Sequence, residues 1–190
     1  PFSEQGLASF DEINNFVNLS IETVKKMPTY HAIVLAQNDI GRVNLYKLIS
    51  LSHLDYYARR PRIPRSLLEE NREGLILGSA CVAGELVQAM LRNVPLSEIN
   101  RIVNFYDYLE IQPLGNNAFM LASDKHPQIK SMSDLEELNK TIVRLGEEFN
   151  KPVCATCDVH FLDPEDEVYR RIIMAGKGFP DADNQAPLYL

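Results

Sequence analysis

The chain has 190 residues, of which 45% are hydrophobic and 24% are charged. These values are typical of a folded domain and exclude disorder of the whole chain. No apolar run approaches the roughly 18 residues that a membrane-spanning helix needs, so no transmembrane helix is expected. With 26 acidic and 19 basic residues the formal net charge is −7, which excludes binding to nucleic acid by bulk electrostatic attraction.

The start of the chain carries no export signal. Residues 1–10 have neither the basic flank nor the apolar stretch of a signal peptide, and they include no initiator methionine. The three cysteines fit a reducing cytoplasm, where thiols are either buried or bound to metal. We therefore expect a piece of a longer cytoplasmic chain.

The first predicted elements are a lead-in helix and one strand–helix unit. Apolar side chains recur at helical spacing in the polar segment 1–29, which predicts a helical lead-in. The near-continuous apolar run over 30–36 has the length of a strand. Asn38 or Asp39 then caps a helix whose apolar face continues to Leu54.

The strand–helix unit recurs three more times. The further predicted strands cover residues 74–80, 108–112 and 152–156. A helix follows each of these strands, and a long loop over 113–130 separates the strand 108–112 from its helix. Ser133 and Glu136 are predicted to form a capping box at the start of that helix, and Asp163 to cap the last one.

Four consecutive units with strands that are apolar on both faces predict an α/β fold, in which a mainly parallel sheet is covered by helices. Four units are also half of a (β/α) barrel. The turn-rich tail over 179–190 is predicted to be a connection onward.

Asp158 and His160 follow the fourth predicted strand. Residues i and i+2 of a strand point the same way, and sites in parallel α/β folds form at the carboxyl ends of strands. Carboxylate and imidazole are ligands of zinc, manganese and iron. Two interpretations are open, a metal-binding pair and an incidental surface turn.

Cys81 and His31 are weaker candidates. Cys81 ends the second strand and is either a small buried side chain or a thiolate that meets Asp158 and His160. His31 precedes its apolar run, so a regular parallel sheet would place it at the wrong end. Only an irregular strand or a different chain direction would bring it to the others.

The spacing of two other groups, a pair of cysteines and a cluster of arginines, does not by itself indicate a chemical role. On a strand the thiols of Cys154 and Cys157 point to opposite faces, so a shared metal is not expected there. A basic cluster either contacts phosphate through guanidinium groups, or pairs with downstream glutamates or another domain. This cluster consists of Arg59, Arg60, Arg62 and Arg65.

Four segments together carry a family resemblance. They are YHAIVLAQNDIGRVNLYKLISLSHLDYYARRPRIPRSLL, EGLILGSACVAGEL, FYDYLEIQPLGNN and KPVCATCDVHFLDPEDEVYRRIIMAGKG. Their order and spacing over residues 30–190 resemble the PHP (polymerase and histidinol phosphatase) domain of PolC-type bacterial DNA polymerase III.

The resemblance implies part of a distorted (β/α) barrel. It implies a lead-in over 1–29 that follows an exonuclease insertion, a PHP portion over 30–178 and a connection toward the polymerase core over 179–190. The metal-binding positions of the family that are present here are His31, Cys81, Asp158 and His160. Cys157 stands where the family usually has glycine, and Cys154 where it has an aliphatic residue.

The resemblance also implies a function. The parent would be a replicative DNA polymerase with 3′–5′ exonuclease, and this portion would supply ligands for divalent metal ions, zinc or manganese, in phosphoester hydrolysis or proofreading. Expected partners are other domains of the same chain, with DNA and replisome subunits reached through the parent, and no membrane. The alternatives are a structural PHP module and a free-standing PHP phosphoesterase. The fragment alone is expected to be inactive.

Overall fold

The computed structural model describes residues 21–179, 182–183 and 186–189. Two compact units divide these residues, the first made of 21–30 and 34–76 and the second of 31–33 and the residues from 77 onward. The predicted lead-in falls mostly on residues 1–20, which lie outside the described part of the chain.

Every predicted strand is present, each in a shorter form. The strands are β1 (Ile33–Ala36), β2 (Leu75–Gly78), β3 (Leu109–Ile111) and β4 (Val153–Ala155). The helices are α1 (Ile21–Val24), α2 (Asp39–Leu54), α3 (Arg65–Glu70), α4 (Glu85–Leu91), α5 (Leu96–Phe105), α6 (Met132–Glu148) and α7 (Glu167–Gly176). Two 3-10 helices are η1 (Leu114–Ala122) and η2 (Pro164–Asp166). Helix α3 was not predicted, and η1 occupies part of the expected loop.

The first unit is built around α2. Asn38 caps this helix as predicted, because its side-chain oxygen accepts a hydrogen bond of 2.9 Å from the backbone N–H of Gly41. Leu48 is fully buried beneath the helix. Gly41 lies so close to the carbonyl of Gly74 that a Cβ would stand 1.8 Å from its oxygen, so only glycine permits this approach.

The second unit holds the larger core. Strands β3 and β4 pair in parallel, with Leu109 opposite Val153. Helix α6 packs against both strands and against η1, and α4 packs against α5. Apolar side chains with at most 1% exposure fill the interior, among them Leu77, Leu86, Ile102, Leu109 and Ile142. This core carries the β-strand ends that position the candidate site.

The prediction of one mainly parallel sheet is wrong in part. The described residues form two separate two-stranded sheets, β1 with β2 and β3 with β4, and an isolated parallel bridge joins Gly78 to Tyr108. They show a mixed α/β architecture without a closed barrel. The strands β1 and β4 are largely exposed rather than buried on both faces, so apolar runs alone overestimated their burial.

Backbone hydrogen bonds hold the chain on both sides of β1. Gln37, directly after β1, donates its backbone N–H to the carbonyl of Gly74, directly before β2. His31, before β1, donates to the carbonyl of Ala83, after β2. His31 also forms an isolated parallel bridge with Gly84, so the residues before β1 lie beside the loop after β2.

The capping box of α6 lies two residues before the predicted one. Ser131 is the cap, and its backbone N–H and hydroxyl both donate to Oδ2 of Asp134, at 2.8 and 2.9 Å. Ser133 and Glu136 have the same spacing, so the sequence offered two overlapping candidates. No helix in the described part of the chain is long and apolar enough to cross a membrane.

Candidate metal centre

His31 and Cys81 meet in the second unit. Nδ1 of His31 lies 3.5 Å from Sγ of Cys81, although 50 residues separate them in sequence. A backbone hydrogen bond to Ala83 and a parallel bridge to Gly84 place His31 beside the loop after β2, which answers the objection to this residue. In a tetrahedral zinc site, Zn–N bonds of about 2.0–2.1 Å and Zn–S bonds of about 2.3 Å place the two donors about 3.6 Å apart. The pair has the separation of two neighbouring ligands.

The Cys81 thiol lies in an acidic, half-buried environment. Burial raises its pKa most, and the negative charges of Asp158 and Glu110 raise it further, against a lowering by a backbone hydrogen bond at Ala83. The residue before it, Ala80, has a φ of 60°, a left-handed conformation that an alanine adopts only at a cost in free energy. This turn directs the chain after β2 toward His31.

Asp158 and His160 also lie together on the chain that follows β4, which bends there rather than keeping the extended conformation that the i, i+2 spacing assumes. Strand β4 ends at Ala155, and Asp158 has a φ of 50°. His160 Nδ1 lies 2.6 Å from the backbone carbonyl oxygen of Asp158 and 3.9 Å from its Oδ1. When Nδ1 donates to this carbonyl, Nε2 keeps its lone pair, which is the form in which histidine binds metals.

The four predicted ligands therefore form two pairs. Within the residues that the structure describes, no group of three His, Cys, Asp or Glu side chains stands ready to hold a metal ion. The donor chemistry of imidazole, thiol and carboxylate nevertheless suits a transition metal. The described residues alone offer an incomplete coordination set.

Three residues that the sequence did not single out hold the chain after β4. The hydroxyl of Thr156 donates to Oε2 of Glu110 at 2.9 Å, and its backbone N–H donates to the carbonyl of Ile111 at 3.0 Å. The side-chain amide of Asn116 donates to the carbonyl of Cys157 at 2.7 Å. An acidic residue inside the apolar run YLEIQ was the available signal for Glu110.

Tyr108 lies beside Glu110 on the same side of β3. Burial first, and then the charge of Glu110, raise the pKa of Tyr108 to about 12. A Cβ on Gly78 would stand 2.3 Å from the ring of Tyr108, so the glycine leaves space for this ring.

The remaining candidates are two cysteines and the basic cluster. Cys154 and Cys157 are exposed free thiols. In the first unit, Nη1 of Arg62 donates to the carbonyl of Met27 at 2.6 Å, while Arg59 and Arg60 are exposed. The contact of Arg62 is structural, and phosphate binding by the rest of the basic cluster, including Arg65, stays a prediction.

Comparison with known proteins identifies the family. A family model described as "PHP domain" matches residues 6–113, a segment that includes His31, Cys81 and Glu110. The chain belongs to the PHP domain family.

Its relatives include proteins named "DNA polymerase III PolC-type". The chain is 57% identical over 171 residues to the protein of Clostridium perfringens, covering 90% of this chain and 12% of that protein. It is 50% identical over 186 residues to the protein of Caldanaerobacter subterraneus subsp. tengcongensis, covering 98% and 13%. It is 43% identical over 176 residues to the protein of Bacillus subtilis, covering 93% of this chain and 12% of that protein. This PHP domain chain thus spans only about an eighth of the length of these curated relatives.

Proposed function

We propose that this chain is part of the PHP domain of a cytoplasmic, replicative DNA polymerase of the PolC type. The high identity to PolC-type proteins across nearly the whole chain supports this assignment. In this proposal residues 1–29 follow an exonuclease insertion, 30–178 form a portion of a distorted barrel, and 179–190 lead to the polymerase core. The partners are the other domains of the same chain and, through them, DNA and replisome subunits.

Within that domain, His31, Cys81, Asp158 and His160 would bind a divalent metal ion, zinc or manganese. The observation that carries this proposal is the 3.5 Å approach of His31 Nδ1 to Cys81 Sγ, because a thiol and an imidazole nitrogen at this distance match adjacent ligands. The two observed pairs provide four donors, and ligands from elsewhere in the parent would complete the set. A bound divalent cation supplies Lewis acidity toward a phosphoryl oxygen.

The chain's own residues would orient that chemistry. The carbonyl of Asp158 fixes the ring of His160, and the contact of Thr156 with Glu110 holds the chain that leads to Asp158. The chemistry served would be phosphoester hydrolysis, including removal of misincorporated nucleotides. The described residues do not form a complete site, so we expect the isolated chain to bind metal weakly and to lack turnover.

The test is metal analysis and a phosphodiesterase assay of the full-length parent with its exonuclease inactivated. Asp158→Ala should lose both the metal and hydrolysis, whereas Asp124→Ala, the same change at another exposed aspartate, should keep both. A wild-type protein without metal at Cys81 contradicts the proposed centre. Bound metal without hydrolysis supports the structural module instead, in which the ion stabilises the polymerase and its domain contacts.

A further inference from the structure

Glu110 is a buried carboxylate that the fold leaves half satisfied. It is 6% exposed. Its Oε2 accepts a hydrogen bond of 2.9 Å from the hydroxyl of Thr156. The hydroxyl of Tyr108 also interacts with this carboxylate, and after burial and the charge of Glu110, a hydrogen bond to Glu110 helps to raise the pKa of that hydroxyl. Oε1 of Glu110 is buried, and no donor among the described residues reaches it with good geometry. Such a group is costly to bury unless something satisfies it.

The surroundings of Glu110 contain no protein cation that satisfies it. No salt bridge to Glu110 is formed by any lysine, arginine or histidine in the described part of the chain. Glu110 instead lines a small pocket together with Cys81, Gln112 and Asn117, over an apolar floor that includes Ile142. The residue with the unpartnered oxygen therefore lines a pocket that also contains a candidate metal ligand.

Glu110 is also coupled to the second pair of candidate ligands. Thr156, which binds its Oε2, lies two residues before Asp158 on the chain that leaves β4. On the other side, Glu110 and Cys81 line the same pocket. One carboxylate thus connects the two halves of the candidate centre.

We propose that Glu110 is a further acidic residue of the metal centre, whose buried carboxylate supplies negative charge to a divalent cation held beside Cys81 and, through Thr156, positions the chain that carries Asp158. This role rests on the proposed function. It explains why a carboxylate rather than a neutral side chain occupies an otherwise apolar strand.

The test uses cobalt(II) as the probe in the full-length protein. The thiolate-to-cobalt charge-transfer absorption reports the ion bound at Cys81, and subtraction of the Cys81→Ser signal removes other sites. Glu110→Gln keeps the size of the side chain and an oxygen for Thr156 but removes the charge. We expect it to weaken cobalt binding about 10- to 100-fold, the range typical of residues that support metal ligands.

Two Thr156 variants separate positioning from charge. Thr156→Val loses the hydroxyl and keeps the carboxylate, so it should bind cobalt more tightly than Glu110→Gln but less tightly than the wild type. Thr156→Ser keeps the hydroxyl and should restore wild-type binding. Glu98→Gln makes the same chemical change at another half-buried acid of this unit, paired with Arg101, and should leave cobalt binding unchanged.

The possible failures are distinct. A wild-type protein whose absorption equals that of Cys81→Ser overturns the metal centre and this role of Glu110 with it. A normal cobalt band that Glu110→Gln leaves unchanged, or weakens no more than Thr156→Val does, overturns the role of Glu110 alone. If Glu110→Gln does not fold, equal binding by Thr156→Val and Thr156→Ser overturns the positioning role.

Discussion

Two helical glycines have opposite surroundings. Gly41 lies within α2, where an added Cβ would stand 1.8 Å from the carbonyl oxygen of Gly74. Gly176 ends α7, and nothing lies within 4 Å of the position of its Cβ. Helix propensity favours alanine over glycine at both positions, so only the tertiary environment distinguishes them.

We expect the two glycine-to-alanine changes to act in opposite directions. Gly41→Ala should lower the free energy of unfolding by about 1–3 kcal/mol, because α2 and the chain at Gly74 would have to move apart. Gly176→Ala should leave it unchanged or raise it by up to about 1 kcal/mol. Urea unfolding followed by circular dichroism measures both, and a neutral Gly41→Ala would show that α2 moves freely.

At the scale of an element, the start of α6 depends on local hydrogen bonds. The carboxylate of Asp134 accepts from the backbone N–H of Lys130 at 2.8 Å and from both the N–H and the hydroxyl of Ser131. The N–H of Lys130 first, and then the hydroxyl of Ser131, lower the pKa of Asp134. This helix packs against β3 and β4, so its cap supports the strands that lead to the candidate site.

The cap should stabilise the protein in a pH-dependent way. Ser131→Ala should lower the free energy of unfolding by about 0.5–2 kcal/mol at neutral pH, whereas Ser133→Ala should have little effect. The pKa of Asp134 is lower in the folded state, so its contribution is present above its unfolded pKa and lost as the pH falls through the folded value. Asp134→Asn should therefore destabilise at neutral pH, and the difference from wild type should begin to shrink as the pH falls below about 3.9 and vanish once the pH is below the folded pKa. A loss on Ser133→Ala as large as that on Ser131→Ala would contradict the assigned cap.

Across the whole molecule, helical periodicity does not determine which apolar faces are buried. Ile142 on α6 is 1% exposed, whereas Ile172 on α7 is 63% exposed, and Ile173 beside it is 57% exposed. Both helices have a clear apolar face in sequence. Of these two apolar faces, only that of α6 is covered by other described residues.

The same substitution on these two helices should therefore have different effects. Ile142→Ala should cost about 2–5 kcal/mol, because it leaves a cavity against β3 and β4. Ile172→Ala should change the free energy of unfolding by less than about 0.5 kcal/mol. Chemical denaturation of both variants compares them. A large loss for Ile172→Ala would mean that α7 is packed in solution.

The local pattern of the sequence determined the order of the four strands and most of the helices, although it missed α3 and η1. Apolar runs and caps located all four strands within a few residues, as well as α2 with its cap at Asn38. Residue types and positions suggested Asp158 and His160 as donors and Cys81 and His31 as weaker candidates, and the family resemblance selected all four. These features depend on neighbours within one turn or one strand, which is the range that periodicity and capping rules cover.

Only the tertiary structure decided which of these elements and residues contact one another. It placed His31 beside the loop after β2, and this brings His31 to Cys81. It also buried Glu110 in the pocket that Cys81 lines. The physical reason is that an apolar run requires burial without specifying its partner or direction, and contacts between residues about 50 positions apart depend on how the whole chain packs.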